Sequence, residues 1–243
     1  MRRILFLFTV LCFLIAPIEA KAEDFTEEQK AEIQKMFEEY LLENGDKIID
    51  SVSKYQERAA EEERAEAAKQ AEAFVANISK RDDLPTAGNA DGDVVVVEFF
   101  DYNCGYCRRA LEELQKVIEE DDNIKVVLMD MPILGPSSRE AAKWSLAAEE
   151  QGKYWEYHTK IMNFPGEKSA RNLEKLAKDV GLDVDKLKED KDNKRIGAML
   201  DKNIEQARAM GIRGTPGFII GKEITPGFIP ADELLRIIKD QRN

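Results

Sequence analysis

Two cysteines two residues apart, Cys104-Gly105-Tyr106-Cys107, are the positions in this sequence best suited to chemistry. A thiolate is the attacking species in disulfide exchange, and a second thiol one helical turn away can resolve the mixed disulfide that forms. The flanking residues say where such a pair would sit. Val94 to Phe100 is a β-branched and aromatic run, too apolar for an edge strand, and reads as a central buried strand. Arg108 to Glu120 carries Leu111, Leu114, Val117 and Ile118 at helical spacing, and Ile124 to Met129 reads as a second strand. The cysteines therefore stand at the N-terminus of a helix that follows a central strand. Unpaired backbone N–H groups and the helix dipole stabilise a thiolate at the first of them, Cys104. A purely structural bridge over so short a loop would remove little chain entropy. A four-ligand zinc site is short of partners, because His158 is the single histidine and the remaining cysteine, Cys12, lies far upstream.

Residues 1–22 read as a secretory signal peptide. Met1-Arg2-Arg3 is a basic start, Ile4 to Ile18 is almost unbroken apolar chain, and Ala20-Lys21-Ala22 is a pattern cut after Ala22. A membrane anchor is the alternative, although the run is short for ~30 Å of hydrocarbon. Cleavage removes Cys12, so the mature chain would keep only Cys104 and Cys107, in an oxidising compartment such as the periplasm.

The elements before the first strand form a helical region, residues 23–80. Thr26-Glu27-Glu28-Gln29 fits a capping box, and Ile33, Met36, Phe37, Tyr40 and Leu41 make one helical stripe. A second stretch carries Ile48, Val52, Tyr55 and Ala59. Its seam fails across Glu61 to Glu66 and resumes at Ala67, Ala71, Phe74 and Ile78. Short isolated helices are marginal alone, so the stripe is expected to pair with copies of itself, with the acidic middle as a semi-rigid spacer; cover for the main domain is the other reading. Residues 81–93 are rich in turn formers and read as a linker.

Composition bounds the partners. There are 48 acidic and 36 basic side chains, a net charge of −12. Nucleic acid and anionic membrane surfaces would be repelled. Hydrophobic residues at 43% supply a packed core. There is no internal repeat and no phosphate-binding glycine loop. His158, within Trp155-Glu156-Tyr157-His158, reads as a packed or surface residue of a helix. The segment Met131 to Pro136 reads as a connector that could reach the active-site side.

Val94 to Arg109 (VVVVEFFDYNCGYCRR) resembles the DsbA-like branch of the thioredoxin superfamily, and Arg213 to Phe218 (RGTPGF) resembles that family's cis-proline loop. With the helical extension, the likeness is to periplasmic proteins of the suppressor-of-copper-sensitivity C type. The resemblance implies an α/β, thioredoxin-like fold with an inserted helical subdomain, preceded by an α-helical oligomerisation region. Residues 94–137 would be the first thioredoxin-like part, 138–211 the insertion and 212–243 the second part.

The same resemblance implies residue roles. Cys104 would be the nucleophile and Cys107 the resolving thiol, with Gly105 and Tyr106 tuning the redox potential. Thr215 and Pro216, joined by a cis bond, would form the substrate-binding loop beside the sulfurs. Glu98 stands where the family carries a buried acid, and strand alternation aims it into the domain as Phe100 is aimed. Gly-Tyr between the cysteines, with Thr215 before the cis-proline, resembles the disulfide isomerases, and the lack of a histidine there implies a less oxidising pair than the family's strong oxidant. The implied activity is a thiol–disulfide oxidoreductase, an isomerase or reductase, needing no cofactor beyond its own cysteines. Its partners would be misfolded or misoxidised secreted proteins, a membrane thiol reductase as electron donor, and copies of itself, which the same likeness would arrange as a trimer. A net dithiol oxidase stays open, as does a chaperone or Cu(I)-binding protein holding the ion at Cys104 and Cys107.

Overall fold

Thr26 starts the first helix, α1 (Glu27–Glu43), with both bonds of a capping box: its hydroxyl accepts from the Gln29 N–H at 3.2 Å and the Gln29 side chain accepts from the Thr26 N–H at 2.9 Å. The computed structural model describes residues 24–242, so the signal-peptide reading of 1–22 lies outside the described residues. The chain divides into two compact units, Met1–Arg58 and Ala59–Asn243. In the first unit α1 buries none of its residues. Met36, Phe37 and Tyr40, the middle of the apolar stripe, are 62%, 60% and 57% exposed.

The next helix, α2 (Gly45–Ile78), runs unbroken through Glu61 to Glu66. The acidic stretch interrupts the apolar seam without interrupting the helix, because Glu, Ala and Arg are strong helix formers. The region expected as one stalk does not stay apart to its end. Within the second unit Ala71 and Ile78 are buried and Phe74 stacks on Phe99, ring centroids 6.2 Å apart.

The second unit is built on a five-stranded sheet. Its strands are β1 (Thr86–Gly88), β2 (Val94–Phe100), β3 (Ile124–Asp130), β4 (Gly217–Ile220) and β5 (Glu223–Pro226), in the order β1-β3-β2-β4-β5. β2 is central, parallel to β3 and antiparallel to β4. Every residue of β3 and all but Val95 of β2 are buried, as a strand covered on both faces requires. The stretch 81–93, expected as a linker, carries β1, which pairs antiparallel with β3. It is tied down further where Arg242 meets both Asp93 and Asp121 at 2.7 Å.

Helix α3 (Gly105–Glu120) connects β2 to β3, and α9 (Ala231–Gln241) packs beside it. Between β3 and β4 five helices are inserted: α4 (Pro136–Glu149), α5 (Tyr154–Asn163), α6 (Ala170–Asp179), α7 (Val184–Asp190) and α8 (Lys194–Ala209). Trp144, Tyr157, Leu173 and Leu200 form their core. Among the described residues no helix is long and apolar enough to cross a membrane.

Candidate active site

The β2 strand ends at Phe100, and the chain turns through Asp101 to Asn103 into α3. Cys104 is the N-cap of that helix, with extended backbone (φ −84°, ψ 116°), and Gly105 opens the first turn. The Cys107 backbone N–H therefore points back at the Cys104 sulfur, 3.3 Å away. Both cysteines are free thiols. The Cys104 thiol donates to the Thr215 carbonyl oxygen at 3.2 Å, bringing the Thr215–Pro216 loop onto the sulfur, and that peptide bond is cis. The loop is pinned from behind, where the Gly227 N–H donates to the Pro216 carbonyl at 2.9 Å.

The two thiols occupy different electrostatic positions. Cys104 is lowered to about 6. A hydrogen bond from the Cys107 side chain is the largest cause; burial opposes it, and the Thr215 side chain and the backbone N–H groups of Cys107 and Tyr106 add to it. Cys107 is fully enclosed, and burial first, then its role as donor to Cys104, pushes it far up. Both sulfurs are buried, and the two shifts favour a thiolate at Cys104 and a thiol at Cys107.

Glu98 lies in β2 between Leu128 of β3 and Phe218 of β4, and only 2% of it is exposed. Burial, then the charge on Cys104, raises its carboxyl to about 8. Its Oε1 has no hydrogen-bond partner among the described residues. Its charge also raises Cys107, so the three groups are electrostatically coupled. Gly105 and Tyr106 are both exposed beside the sulfurs. Arg109 stands over the Tyr106 ring at 5.6 Å and over Phe228 at 4.7 Å. The structure thus brings Cys104, Cys107, Glu98, Gly105, Tyr106, Thr215 and Pro216 to one end of the sheet.

Asp101 is a site residue that the sequence reading passed over. Its carboxylate is buried and fully used. Oδ1 accepts from the Asn103 N–H at 2.8 Å and the Ser138 hydroxyl at 2.6 Å; Oδ2 accepts from the Ile133 and Leu134 N–H groups at 2.8 and 2.9 Å. One side chain therefore fixes the turn into the cysteines, the 131–135 connector and the start of α4. The Asp-x-Asn turn after a strand was the local signal available for it. His158 is buried, ringed by Phe100, Tyr102, Tyr154 and Trp155, with Nδ1 2.9 Å from the Tyr102 hydroxyl. Burial lowers it to about 3, so it is neutral, and it is not among the groups that set the Cys104 thiolate.

Residues 95–239 match the DSBA-like thioredoxin domain. A thioredoxin-like oxidoreductase from Silicibacter pomeroyi DSS-3 is 37% identical, with a TM-score of 0.66 over 68% of this chain and 95% of that one. ScsC of Proteus mirabilis in a transitional conformation is 26% identical, with a TM-score of 0.64 over 89% of this chain and 96% of that one. The Na(+)/H(+) antiporter NhaA 1 of Salinispora arenicola is 28% identical over 135 residues, 55% of this chain, and the match spans only 21% of that curated relative's length. The matched stretch runs from β2 through the inserted helices into α9 and covers more than half of the sequence, and the chain belongs to the DSBA-like thioredoxin domain family.

Proposed function

We propose that this protein is a periplasmic thiol–disulfide oxidoreductase that acts on misoxidised secreted proteins as a disulfide isomerase or reductase. The observation that carries this reading is the opposed titration of the two thiols, with Cys104 lowered to about 6 while Cys107 is held protonated beside it. The Cys104 thiolate attacks one sulfur of a client disulfide; a mixed disulfide forms and the other client sulfur leaves as a thiolate. A client thiolate can then attack the mixed disulfide, giving a rearranged client and a free Cys104 with no net transfer of electrons. Alternatively, once the mixed disulfide has removed the Cys104 charge that helps keep the Glu98 carboxyl protonated, ionised Glu98 accepts the Cys107 proton and Cys107 attacks the Cys104 sulfur. The client then leaves reduced by two electrons and Cys104–Cys107 is oxidised, to be reduced again by a membrane dithiol donor.

Thr215, before the cis-bonded Pro216, offers the client backbone polar groups to pair with. The helical extension supports isomerisation over simple reduction. The exposed stripe of Met36, Phe37 and Tyr40 suits burial against further copies of the chain, as a homotrimer, which would gather several thiolates around one client. The Gly105-Tyr106 dipeptide, with no imidazole to hold the thiolate further down, favours a pair that stays usable in its reduced form. The test is reactivation of scrambled ribonuclease by the mature chain and by a form lacking residues 23–60, beside light scattering on both. Loss of reactivation and of the oligomer together, with reduction of a small disulfide retained, supports the reading. Full reactivation by the shortened monomer would remove oligomerisation from it, and absence of both activities would remove the reading itself.

A further inference from the structure

Beside the Cys104 sulfur is a cavity of about 140 Å³ whose walls include Tyr102, Gly105, Arg108, Phe164, Gly166 and Lys168. Two of these are cations. Lys168 lies between α5 and α6 and is only 5% exposed, its ammonium over the Phe164 ring at 5.4 Å. It donates to the Phe164 and Gly166 carbonyls, which occupy two of its three protons. Arg108, on the first turn of α3, is half-buried and close enough that its charge acts on Lys168 to disfavour the ammonium.

Among the described residues neither cation forms an ion pair, although the chain carries 48 acidic side chains against 36 basic ones. Two like charges in a partly dry recess raise the energy of the free protein, and an arriving anion relieves that. Arg208 and Arg213, both exposed, line a separate cavity of about 410 Å³ with Met131 and Ile133, and among the described residues neither forms an ion pair. An acidic molecule thus keeps two unpaired cations, Arg108 and Lys168, in the walls of the cavity beside its reactive sulfur.

We infer that the Cys104 site selects disulfides bearing a carboxylate next to the reacting sulfur, with Arg108 and Lys168 as its receptor. The inference rests on the thiol–disulfide reading and names its substrate class. In the productive pose the carboxylate meets the free Arg108 N–H groups and the remaining Lys168 proton while the adjacent sulfur faces Cys104. The new bond is Cys104 Sγ to that sulfur, and the other substrate sulfur departs as a thiolate. Cys107 completes the exchange, so that the substrate gains two electrons and the cysteine pair loses them. The carboxylate can belong to a small acidic disulfide or to an acidic residue beside a cystine in a client.

The test is single-turnover oxidation of the reduced, full mature protein by matched disulfides. One pair is dithiodipropionate against its diamide; the other is a capped cystine peptide flanked by Glu against the same peptide flanked by Gln. Each rate is divided by the rate with free dithiothreitol, which removes intrinsic reactivity. We expect an acidic-to-neutral preference of roughly tenfold in at least one pair at low salt. It should shrink as salt rises and fall several-fold in Arg108→Gln and in Lys168→Gln. The half-exposed Arg108 variant serves if the buried Lys168 variant fails to fold. A preference confined to the small pair assigns the site to small acidic disulfides, and one confined to the peptides assigns it to clients. A ratio near one in the wild type, or a ratio unchanged in Arg108→Gln, overturns the inference. The neutral diamide keeps the two readings apart: if the wild type oxidises with it but shows no preference, the receptor falls and the exchange chemistry stands; if nothing reacts, the exchange chemistry falls.

Discussion

Cys107 holds its backbone N–H 3.3 Å from the Cys104 sulfur, and its side chain is the largest single cause of the lowered Cys104 titration. The backbone part of this arrangement comes from helix geometry alone, whereas the side-chain part depends on Cys107 remaining a thiol. Cys107→Ala should therefore raise the Cys104 pKa above about 6 without returning it to that of an ordinary thiol, because the backbone donors and the Thr215 side chain remain. Thiolate ultraviolet absorbance against pH measures this directly. The sign for stability follows from the depressed value: the reduced protein gains from the folded thiolate at alkaline pH and loses that gain as pH falls through about 6. An unchanged midpoint in the variant would remove Cys107 as the stabilising donor.

Asp101 makes a separate prediction, on stability and not on titration. Removing its carboxylate strands the Ile133, Leu134 and Asn103 N–H groups together. Asp101→Ala should cost about 3 kcal/mol or more, since each stranded donor costs roughly 1–3 kcal/mol where water cannot reach it. Asp101→Asn should cost less, because its amide oxygen can still accept from Ile133 and Leu134 and its NH2 can donate to the Ser138 hydroxyl, leaving the Asn103 N–H without its acceptor. Urea unfolding with an unchanged slope and a lower midpoint is the expected record. A midpoint equal to wild type in Asp101→Ala would mean that water replaces the carboxylate.

These two positions mark what the sequence could and could not reveal. The strand–cysteine–helix unit was legible because β2 is apolar but for Glu98 and α3 has a clear seam, both local properties. Glu98 was legible as a buried acid because it interrupts an otherwise apolar central strand, whose residues are enclosed on both faces. Apart from its bond to Asn103, the Asp101 network was not, since Ile133, Leu134 and Ser138 lie 32 to 37 positions away and no spacing announces them. β1 was hidden among turn formers, because three residues are too few to show a period and its pairing with β3 supplies the order. The end of α2 was read with the stalk because Ala71, Phe74 and Ile78 continue a helical seam; only the sheet shows which surface that seam covers. The receptor formed by Arg108 and Lys168 needed the fold to bring an inserted loop to the mouth of α3.

His158 should weaken the protein in acid. Burial lowers its folded titration to about 3, whereas an exposed histidine titrates near 6.5. Below about 6.5 the unfolded chain takes up a proton that the folded chain refuses, so stability falls as pH drops toward about 3. His158→Phe keeps a flat ring between Tyr154 and Trp155 but gives up the contact with the Tyr102 hydroxyl. It should lose stability at neutral pH and regain ground on the wild type as pH falls. Thermal midpoints of both proteins across that range test the crossing trend; parallel curves would contradict a neutral buried imidazole.

Glu98 should have the opposite pH signature. Its carboxyl titrates at about 8 in the fold against 4.5 when free, so the folded protein holds a proton that the unfolded chain has released. The stability that this proton provides is fully present below about 4.5 and is lost as pH rises through about 8. Glu98→Gln retains the shape and cannot ionise, so the variant should gain on the wild type steadily across that window, by an amount on the order of a few kcal/mol at its alkaline end. The variant should pay in rate where the wild type gains in chemistry. Without a carboxylate near Cys107, loss of the Cys107 proton has no local acceptor, and the step that resolves the mixed disulfide should slow several-fold while the first attack by Cys104 does not. Chemical denaturation of the reduced proteins at both ends of the window, beside quenched-flow trapping of the mixed disulfide, separates the two effects. A stability difference that does not vary with pH would mean that Glu98 is charged throughout. Unchanged resolution in a variant with the expected stability profile would leave Glu98 as a buried acid with no part in proton transfer.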